Sequence, residues 1–336
     1  MTQRNGWAWC ALAAVLFGAA TPATKRVVDD IGAVTLAGLL YLGAAVAVAP
    51  FALREQRPTA TRRQRSRLLV AVGFGGGLAP VLLVLALDRT PAGTVSLFLN
   101  LELVATAVIA RVFLQEHIGR RAGLGIVIVL LGGVILAGTA ETGVAFGALL
   151  VAATCVCWGI DNAITASLDS YSPSQITLAK GVVAGSVNLL LGLFLHDAPT
   201  ASFVLAALAI GALGYGVSIT MWITGARLVG AARGQVIFAL APFIGALLAW
   251  PINGDRLTAS TLAAFGVSFV GVLVVATSHH AHLHTHEFLE HIHPIDPSDP
   301  HHRPEVIEVL AGTQHRHLAL SHEHEHLPDI HHRHSH

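Results

Sequence analysis

Residues 68–87 read LLVAVGFGGGLAPVLLVLAL, a run of 20 residues without a charged side chain. A run of this length is typical of a helix that crosses a lipid bilayer, because about 20 residues are needed to span the hydrocarbon core. The connection before it, residues 54–67, contains six arginines. The stretch therefore predicts a membrane helix that begins at a strongly basic connection.

The composition of the whole chain agrees with this prediction. Of the 336 residues, 54% are hydrophobic and 12% are charged, and the mean hydropathy is +0.65. A soluble domain carries about 25% charged residues, so lipid is the expected surroundings. The formal net charge of zero gives no reason to expect a nucleic-acid partner. The sequence contains no nucleophile elbow, phosphate loop or zinc-protease signature, so we do not expect an enzyme or a required cofactor.

Ten apolar runs of membrane-spanning length follow one another along the chain. Short breaks rich in Asp, Arg, Pro and Gly separate them. Helices are predicted rather than barrel strands, because the runs are too long and too uniformly apolar for strands. The sequence thus predicts an all-α integral membrane protein with ten transmembrane helices over residues 7–24, 33–53, 68–87, 93–114, 122–139, 143–168, 175–195, 203–224, 231–250 and 258–277.

The distribution of Lys and Arg predicts the orientation. Twelve of these residues lie on the side of the 54–67 connection and four lie on the opposite side. By the positive-inside rule, both termini are expected in the cytoplasm of a multi-pass protein of the cell (plasma or inner) membrane. The sequence is also compatible with a homodimer.

The second half of the chain repeats features of the first at a nearly constant offset. Three pairs share this offset: residues 87–92 with 226–231, Gly132 with Gly271, and Phe17-Gly18 with Trp158-Gly159. A unit of five helices is odd-numbered, so its second copy must enter the membrane upside down. We therefore predict two inverted five-helix repeats, residues 1–139 and 140–278, which is an architecture suited to alternating access.

Over residues 7–277 the chain resembles the EamA-type branch of the drug/metabolite transporter superfamily. The motifs that carry the resemblance are Phe17-Gly18 with Pro22 and Lys25, Ala92-Gly93-Thr94, Phe113-Leu114-Gln115-Glu116-His117, Gly125, Leu131-Gly132-Gly133, Trp158-Gly159, Ala239-Leu240-Ala241-Pro242 and Gly254-Asp255-Arg256-Leu257-Thr258. The resemblance implies transport of amino acids, other metabolites or toxic organic compounds, often by export. The chain departs from the pattern at Glu102-Leu103, where a proline is usual.

Glu102 is the leading candidate for the substrate or coupling site. It lies about nine residues into the predicted fourth helix, and an ionised carboxylate at that depth costs at least ~2.5–3.5 kcal/mol. It should therefore face a cavity, find a partner or stay protonated. We interpret it as a site for a substrate amine or a proton, and a protonated acid that bonds to a neighbouring helix is the alternative.

Further candidates for substrate or coupling residues are Asp161, Asn162, Lys180, Gln175, Pro22 and Pro242. Asp161 and Lys180 fall in antiparallel neighbouring helices and can meet, either as a gate or as a structural ion pair. Pro22 and Pro242 are expected to break helices in mid-membrane, where freed carbonyls can bind substrate.

The segment 279–336 is rich in histidine and poor in large apolar residues. Eighteen of the chain's 20 histidines lie beyond Ser278. We predict a cytoplasmic tail that is disordered without a ligand and that binds divalent metal, namely Zn²⁺, Ni²⁺, Co²⁺ or Cu²⁺. A pH-responsive polycation is the alternative, since imidazoles have a pKa of about 6.5. The predicted metal ligands are His282, His284, His286, His291, His293, His301, His302, His315, His317, His322, His324, His326, His331, His332, His334 and His336.

Together these features favour a secondary transporter that exports small metabolites, such as amino acids or related compounds, with a tail that regulates it. One alternative is a divalent metal transporter (nickel, cobalt or zinc) whose tail collects the metal. Another is a membrane-anchored metal sensor that transports nothing.

Overall fold

The computed structural model describes residues 3–113, 119–138, 142–165, 167–168, 170–195, 198–229, 234, 237–277 and the short stretches 280–286, 289–292, 307–311, 314–317 and 320–326. Beyond residue 277 it describes the backbone path alone. The chain forms two compact units, Met1–Ser278 and His279–His336.

The first unit is helical throughout its described residues, and its helices are named TM1 to TM10 in chain order. The first five are TM1 (Gln3–Lys25), TM2 (Ala33–Ala52), TM3 (Arg62–Ala71, a π-helical segment Val72–Leu78, then Ala79–Arg89), TM4 (Ala92–Phe98, then Leu101–Phe113) and TM5 (Arg120–Gly138).

The second five helices repeat this arrangement. They are TM6 (Thr142–Thr165), TM7 (Pro173–Ala179, a π-helical segment Lys180–Ala184, then Gly185–Leu195), TM8 (Ala201–Gly211, a π-helical segment Ala212–Val217, then Ser218–Val229), TM9 (described chiefly as Ala241–Asn253) and TM10 (Ala259–Ala276). Within the described residues, nine helices are long and apolar enough to cross a membrane, and Ala241–Asn253 is a shorter apolar helix. The predicted all-α membrane fold is confirmed.

Local sequence signals fix several of the helix boundaries. TM3 begins at a capping box between Thr61 and Gln64, and TM7 begins at a second one between Ser172 and Gln175. In each box the two side chains satisfy backbone N–H groups that have no partner within the helix. TM9 ends at Gly254, whose φ of +72° is the left-handed conformation that glycine adopts without a steric penalty.

The packing of the helices has the pattern of two inverted copies. TM1 packs on TM8 and TM9, and TM6, its counterpart in the second repeat, packs on TM3 and TM4. TM2, TM4 and TM5 pack on their own counterparts TM7, TM9 and TM10. A two-fold relation in the membrane plane produces this exchange of partners, so the two repeats face each other across one interface.

Two kinds of helix interruption recur at corresponding places in the two repeats, whereas the π-helical segment of TM7, Lys180–Ala184, has no counterpart in TM2. The π-helical segments of TM3 and TM8 begin at the equivalent residues Val72 and Ala212. TM4 is interrupted by a turn at Leu99-Asn100, and TM9 by a turn at the equivalent pair Ala239-Leu240. The predicted membrane span over 93–114 therefore consists of two helical segments separated by this turn.

The turn in TM4 has a local cause. The backbone N–H of Asn100 donates to the carbonyl of Leu97 at 3.2 Å, and that of Glu102 donates to the carbonyl of Leu99 at 3.0 Å. Both bonds join residues three apart, whereas an α-helix joins residues four apart. The Asn100 side chain also donates to the Leu97 carbonyl at 2.9 Å. A side chain that competes for backbone acceptors in this way favours a turn over a continued helix.

Pro22 does not break TM1. The prediction that it interrupts the helix in mid-membrane is wrong, because the helix runs continuously from Gln3 to Lys25. Membrane helices tolerate proline where neighbouring helices compensate for the lost backbone bond. The carbonyl of Pro22 itself accepts a hydrogen bond from the Asn253 side chain of TM9 at 3.1 Å.

The second unit contains short antiparallel strands. Strand β1 (His280–His286) pairs with β5 (Leu320–His326), and β4 (Gln314–His317) lies between β2 (Leu289–Ile292) and β3 (Ile307–Ala311). These strands lie in the segment that the sequence predicts to be disordered without a ligand. Disorder of the ligand-free segment stays a prediction.

Candidate functional site

A small cavity lies between the two interrupted helices, at the interface of the repeats. Its volume is about 20 Å³, and it is lined by Phe17, Leu99, Asn100, Glu102, Leu103, Phe238, Ala239, Ala241 and Pro242. Residues from the TM4 turn and from the TM9 turn thus face each other across it. A space of this size holds about one water molecule.

Glu102 brings a carboxylate to the wall of this cavity. It is the second residue of the helix that follows the TM4 turn. Its Oε1 accepts a hydrogen bond from the Asn162 side chain of TM6 at 2.8 Å. Within the described residues, no hydrogen bond is made to Oε2, so the second oxygen is available to a donor. Pro242, the residue that corresponds to Glu102 in the second repeat, lines the opposite wall, which leaves the pair of turns with a single carboxylate.

Asn100 adds a second acceptor. The side chain is buried, and its Nδ2 is engaged by the Leu97 carbonyl. Its Oδ1 has no hydrogen-bond partner among the described residues. A buried amide oxygen without a partner is costly, and a ligand that donates a hydrogen bond removes that cost.

Two aromatic rings, those of Phe17 and Phe238, belong to the wall beside its aliphatic side chains. Phe17 packs on Phe238, with ring centroids 5.2 Å apart, and on Trp158 and Tyr215 at 5.6 and 5.7 Å. Asn100 and Glu102 line the cavity together with Phe17 and Phe238, so its wall combines hydrogen-bond acceptors with an aromatic surface.

Comparison with known proteins identifies the family. A family model described as the EamA-like transporter family matches residues 4–138 and, a second time, residues 145–277. The chain belongs to the EamA-like transporter family. This match points to a multi-pass membrane transporter rather than to an enzyme, and the resemblance predicted from the motifs is confirmed.

Two individual proteins are similar to this EamA-like chain. One, described as an uncharacterized transporter from Methanothermobacter thermautotrophicus, is 25% identical over 279 residues, which cover 74% of this chain and 80% of the relative. The other is a solved structure titled only as the crystal structure of a protein, with a TM-score of 0.60 at 17% identity. It covers 80% of this chain and 97% of its own. At that identity the likeness shows the fold.

The structure of this EamA-like transporter brings together Asp161 and Lys180, the two residues that the sequence predicted to meet. Lys180 donates to Asp161 Oδ2 at 2.6 Å, and both side chains are buried. Thr165 donates to Asp161 Oδ1 at 3.1 Å. Asp161 and Asn162 are consecutive in TM6, so one helix turn serves both the ion pair and Glu102.

The other predicted site residues lie in different places. Gln175 closes the capping box of TM7 and donates to the carbonyl of Gln56 at 2.8 Å, so it does not line the cavity. Pro22 contributes its carbonyl to the contact with TM9 described above. Pro242 is in the cavity wall and follows the TM9 turn, as expected for a helix-breaking proline.

Asn100 and Phe17 are site residues that the sequence did not single out as ligand contacts. An asparagine between leucines carries no distinctive signal by itself. The signal that was present is the offset of the repeats, since Leu99-Asn100 corresponds to Ala239-Leu240, which shortly precedes Pro242.

The predicted metal ligands belong to the second unit. Nine lie on the described strands: His282, His284, His286, His291, His315, His317, His322, His324 and His326. Seven lie outside the described residues: His293, His301, His302, His331, His332, His334 and His336.

Proposed function

We propose that the protein is a secondary transporter that exports small metabolites, such as amino acids or related compounds, by alternating access. The observation that carries this proposal is the small cavity at the repeat interface, where the two helix interruptions meet beside Glu102. In transporters built from inverted repeats, substrate sites lie at the interface between repeats and are formed by discontinuous helices.

The substrate class follows from the groups that face the cavity. Glu102 and Asn100 line the cavity, and both side chains carry oxygen acceptors, so we infer that the preferred ligand carries several N–H donors and a positive charge. A protonated amine meets both requirements, and the rings of Phe17 and Phe238 cover its apolar part. The Asn162 bond to Oε1 fixes the direction in which Oε2 points.

The same carboxylate provides a means of coupling. If Glu102 binds either a proton or the substrate amine, but not both, the two are carried across the membrane alternately and in opposite directions. Such an exchange moves substrate out of the cell when protons move in. The cavity of about 20 Å³ then represents a closed intermediate, and TM4 and TM9 must separate on one side to admit a metabolite.

The orientation proposed for this transporter places both termini in the cytoplasm of the cell (plasma or inner) membrane. The support is the excess of Arg and Lys on the side of residues 54–67. On this assignment, the connection between TM6 and TM7 also lies in the cytoplasm.

We further propose that the segment 279–336 binds divalent metal (Zn²⁺, Ni²⁺, Co²⁺ or Cu²⁺) and regulates transport. In the strand register, His282 lies opposite His324 and His284 lies opposite His322. Alternation along the strands places these four residues on one face of the ribbon. Imidazole is a ligand that each of these four metals accepts.

The proposed function is tested with purified protein in proteoliposomes. Efflux of labelled amino acids and other primary amines is measured with and without an inwardly directed proton gradient, for the wild type and for Glu102→Gln. Glutamine retains the acceptor for Asn162 but loses the charge. The expected loss of flux is tenfold to hundredfold, from about 1.5–3 kcal/mol for a hydrogen bond to a charged group. Flux of the variant at the wild-type rate, with unchanged pH dependence, would show that Glu102 has no such role.

Removal of residues 279–336 separates the proposed function from its alternatives. We expect amine flux to continue in the truncated protein, with its response to added metal abolished. A metal transporter would show altered metal flux, and a sensor would show no flux in either form.

A further inference from the structure

The start of TM3 carries positive charges that the fold itself does not use. Residues 53–67 contain six arginines and one acidic residue, Glu55, so this stretch has a net charge of +5. Three of the arginines, Arg62, Arg63 and Arg65, are among the first four residues of TM3, and the first turn contains no acidic residue. The positive end of the helix dipole lies at the same place, so these cations are unfavourable for the helix. An anion bound there would remove that cost.

Most of these arginines have no partner in the part of the chain that the structure describes. Five of the six guanidinium groups make no hydrogen bond or ion pair there, and all five side chains are exposed. They belong to Arg54, Arg57, Arg62, Arg63 and Arg65, which together we name the arginine surface. The sixth, Arg67, donates to Ser167 at 3.1 Å. The carboxylate of Glu55 accepts from Ser174 at 2.7 Å rather than from an arginine, so it does not pair with this surface.

Exposed apolar side chains begin directly below the arginine surface. Arg62, Arg65 and Leu69 are spaced three and four residues apart, so they share one face of TM3. Leu69 is 64% exposed, which shows that this face is not covered by another helix. Along the helix axis Leu69 lies about 6–10 Å from the two arginines. That separation is comparable with the headgroup layer of a bilayer, which is about 5–8 Å thick on each side of the hydrocarbon core.

The structure holds this end of TM3 in place. The capping box between Thr61 and Gln64 fixes the first turn, and the Gln64 side chain also accepts from Ser170 at 3.0 Å. Arg67 adds its bond to Ser167 one turn further on. The first-turn arginines are therefore attached to a backbone that is already ordered, so a ligand does not have to order it.

We propose that the arginine surface binds the phosphate headgroup of an anionic phospholipid, whose acyl chains lie against the exposed face around Leu69. Guanidinium groups match phosphate oxygens with paired hydrogen bonds. Clusters of basic residues at the end of a membrane helix attract anionic lipid of the adjacent leaflet. The apolar face below the charges favours a lipid over a free phosphate, because only the lipid covers both.

The test compares the affinity of the purified full-length protein for two lipids that differ in headgroup charge. Native mass spectrometry gives the Kd of the first bound phosphatidylglycerol and of the first bound phosphatidylcholine with the same acyl chains. We expect the wild type to prefer phosphatidylglycerol. Arg62→Gln with Arg65→Gln should reduce that preference about 25-fold, which is about fivefold for each arginine. Arg54→Gln with Arg57→Gln should also reduce it, and this variant tests the proposal if the first does not fold.

Arg120→Gln with Arg121→Gln is the matched control. It removes two exposed arginines from the first turn of TM5, so the change in net charge is the same. Arg121 already donates to Thr277 at 3.3 Å, and the preceding sequence contains Glu116, so this variant should lose clearly less of the preference.

Three results would overturn the proposal. The first is a wild type without a preference for phosphatidylglycerol, and the second is an equal loss in the two TM3 and TM5 variants, which net charge alone would explain. The third is displacement of the lipid by an equal concentration of soluble glycerol 3-phosphate, which would assign the surface to a free phosphate. Lipid binding is measured without transport, so its failure is distinguishable from a failure of the proposed function.

Discussion

Replacing Lys180 by methionine leaves the Asp161 carboxylate buried without its cation. The two atoms are 2.6 Å apart and the side chains are almost completely shielded, so solvent cannot replace the lost partner. Removal of one member of a buried pair costs about 3–5 kcal/mol, because an uncompensated charge remains. At roughly 2–4 °C per kcal/mol, the apparent unfolding midpoint should fall by about 6–20 °C.

The double variant Asp161→Asn with Lys180→Met is expected to behave differently. It removes both charges and fills the same space, and such replacements of buried pairs are often neutral or stabilising. Its midpoint should therefore lie within a few degrees of the wild type. With the single variant Asp161→Asn measured as well, the four proteins form a double-mutant cycle that gives the coupling energy of the pair.

The assay is thermal unfolding in detergent, followed by the fluorescence of the five tryptophans. Asp88→Asn is the matched control, because its partner Arg89 is exposed and such pairs contribute about 0–1 kcal/mol. Equal lowering of the midpoint by Lys180→Met and by the double variant would contradict this expectation, since neutralising Asp161 would then not relieve the loss of its cation.

Three further outcomes are expected. Gly132→Ala should destabilise the contact of TM5 with TM10 by about 1–3 kcal/mol, because the new Cβ would lie 2.1 Å from Ser268 Oγ, and Ser268→Gly in the same chain should restore part of the midpoint. Asn100→Leu should weaken binding of a primary amine about tenfold in an equilibrium assay while leaving the fold intact, and equal affinity would remove Asn100 from the site. Full-length protein should retain Ni²⁺ or Zn²⁺ in dialysis at pH 7.5 and release it as the pH falls through about 6, since only neutral imidazole is a ligand, whereas protein without residues 279–336 should retain none.

Hydropathy and charge were sufficient to predict the architecture. Apolar runs and their arginine-rich connections defined the membrane helices, and the common offset between matching motifs predicted the inverted halves. Hydropathy can be read from each segment by itself. Every membrane helix must form its own backbone hydrogen bonds and must supply enough apolar residues to cross the hydrocarbon core. The same reasoning identified Glu102, since a carboxylate at membrane depth needs a partner.

The interruptions of the helices were harder to predict. Nothing in the residues around Leu99-Asn100 resembles the Pro242 that marks the corresponding turn, and the π-helical segment over Val72–Leu78 depends on contacts with TM6 and TM7. At Pro22 a break was predicted and none is present, because a proline alone does not interrupt a membrane helix. Gln175 stays a prediction as a site residue, and the capping box that it forms with Ser172 is visible in the sequence.

The partners of buried polar groups also depended on tertiary structure. The antiparallel neighbourhood of TM6 and TM7 predicted that Asp161 and Lys180 can meet. It did not predict that the pair would rest on Gly75, since that contact joins residues of different repeats. Asn100 became recognisable as a site residue only when its unpartnered oxygen and the cavity were both known.

The central claim is that two similar halves lie in the membrane in opposite orientations. Single cysteines at Thr59 and Ala198, which are exposed positions after the second helix of each half, test this claim. They are introduced into a protein whose native cysteines are replaced by alanine (Cys10→Ala, Cys155→Ala, Cys157→Ala). With an impermeant thiol reagent and intact cells, we predict that Ala198→Cys is labelled from outside and that Thr59→Cys is labelled only after the membrane is opened. Labelling of both positions from the same side would contradict the inverted architecture and every proposal that depends on it.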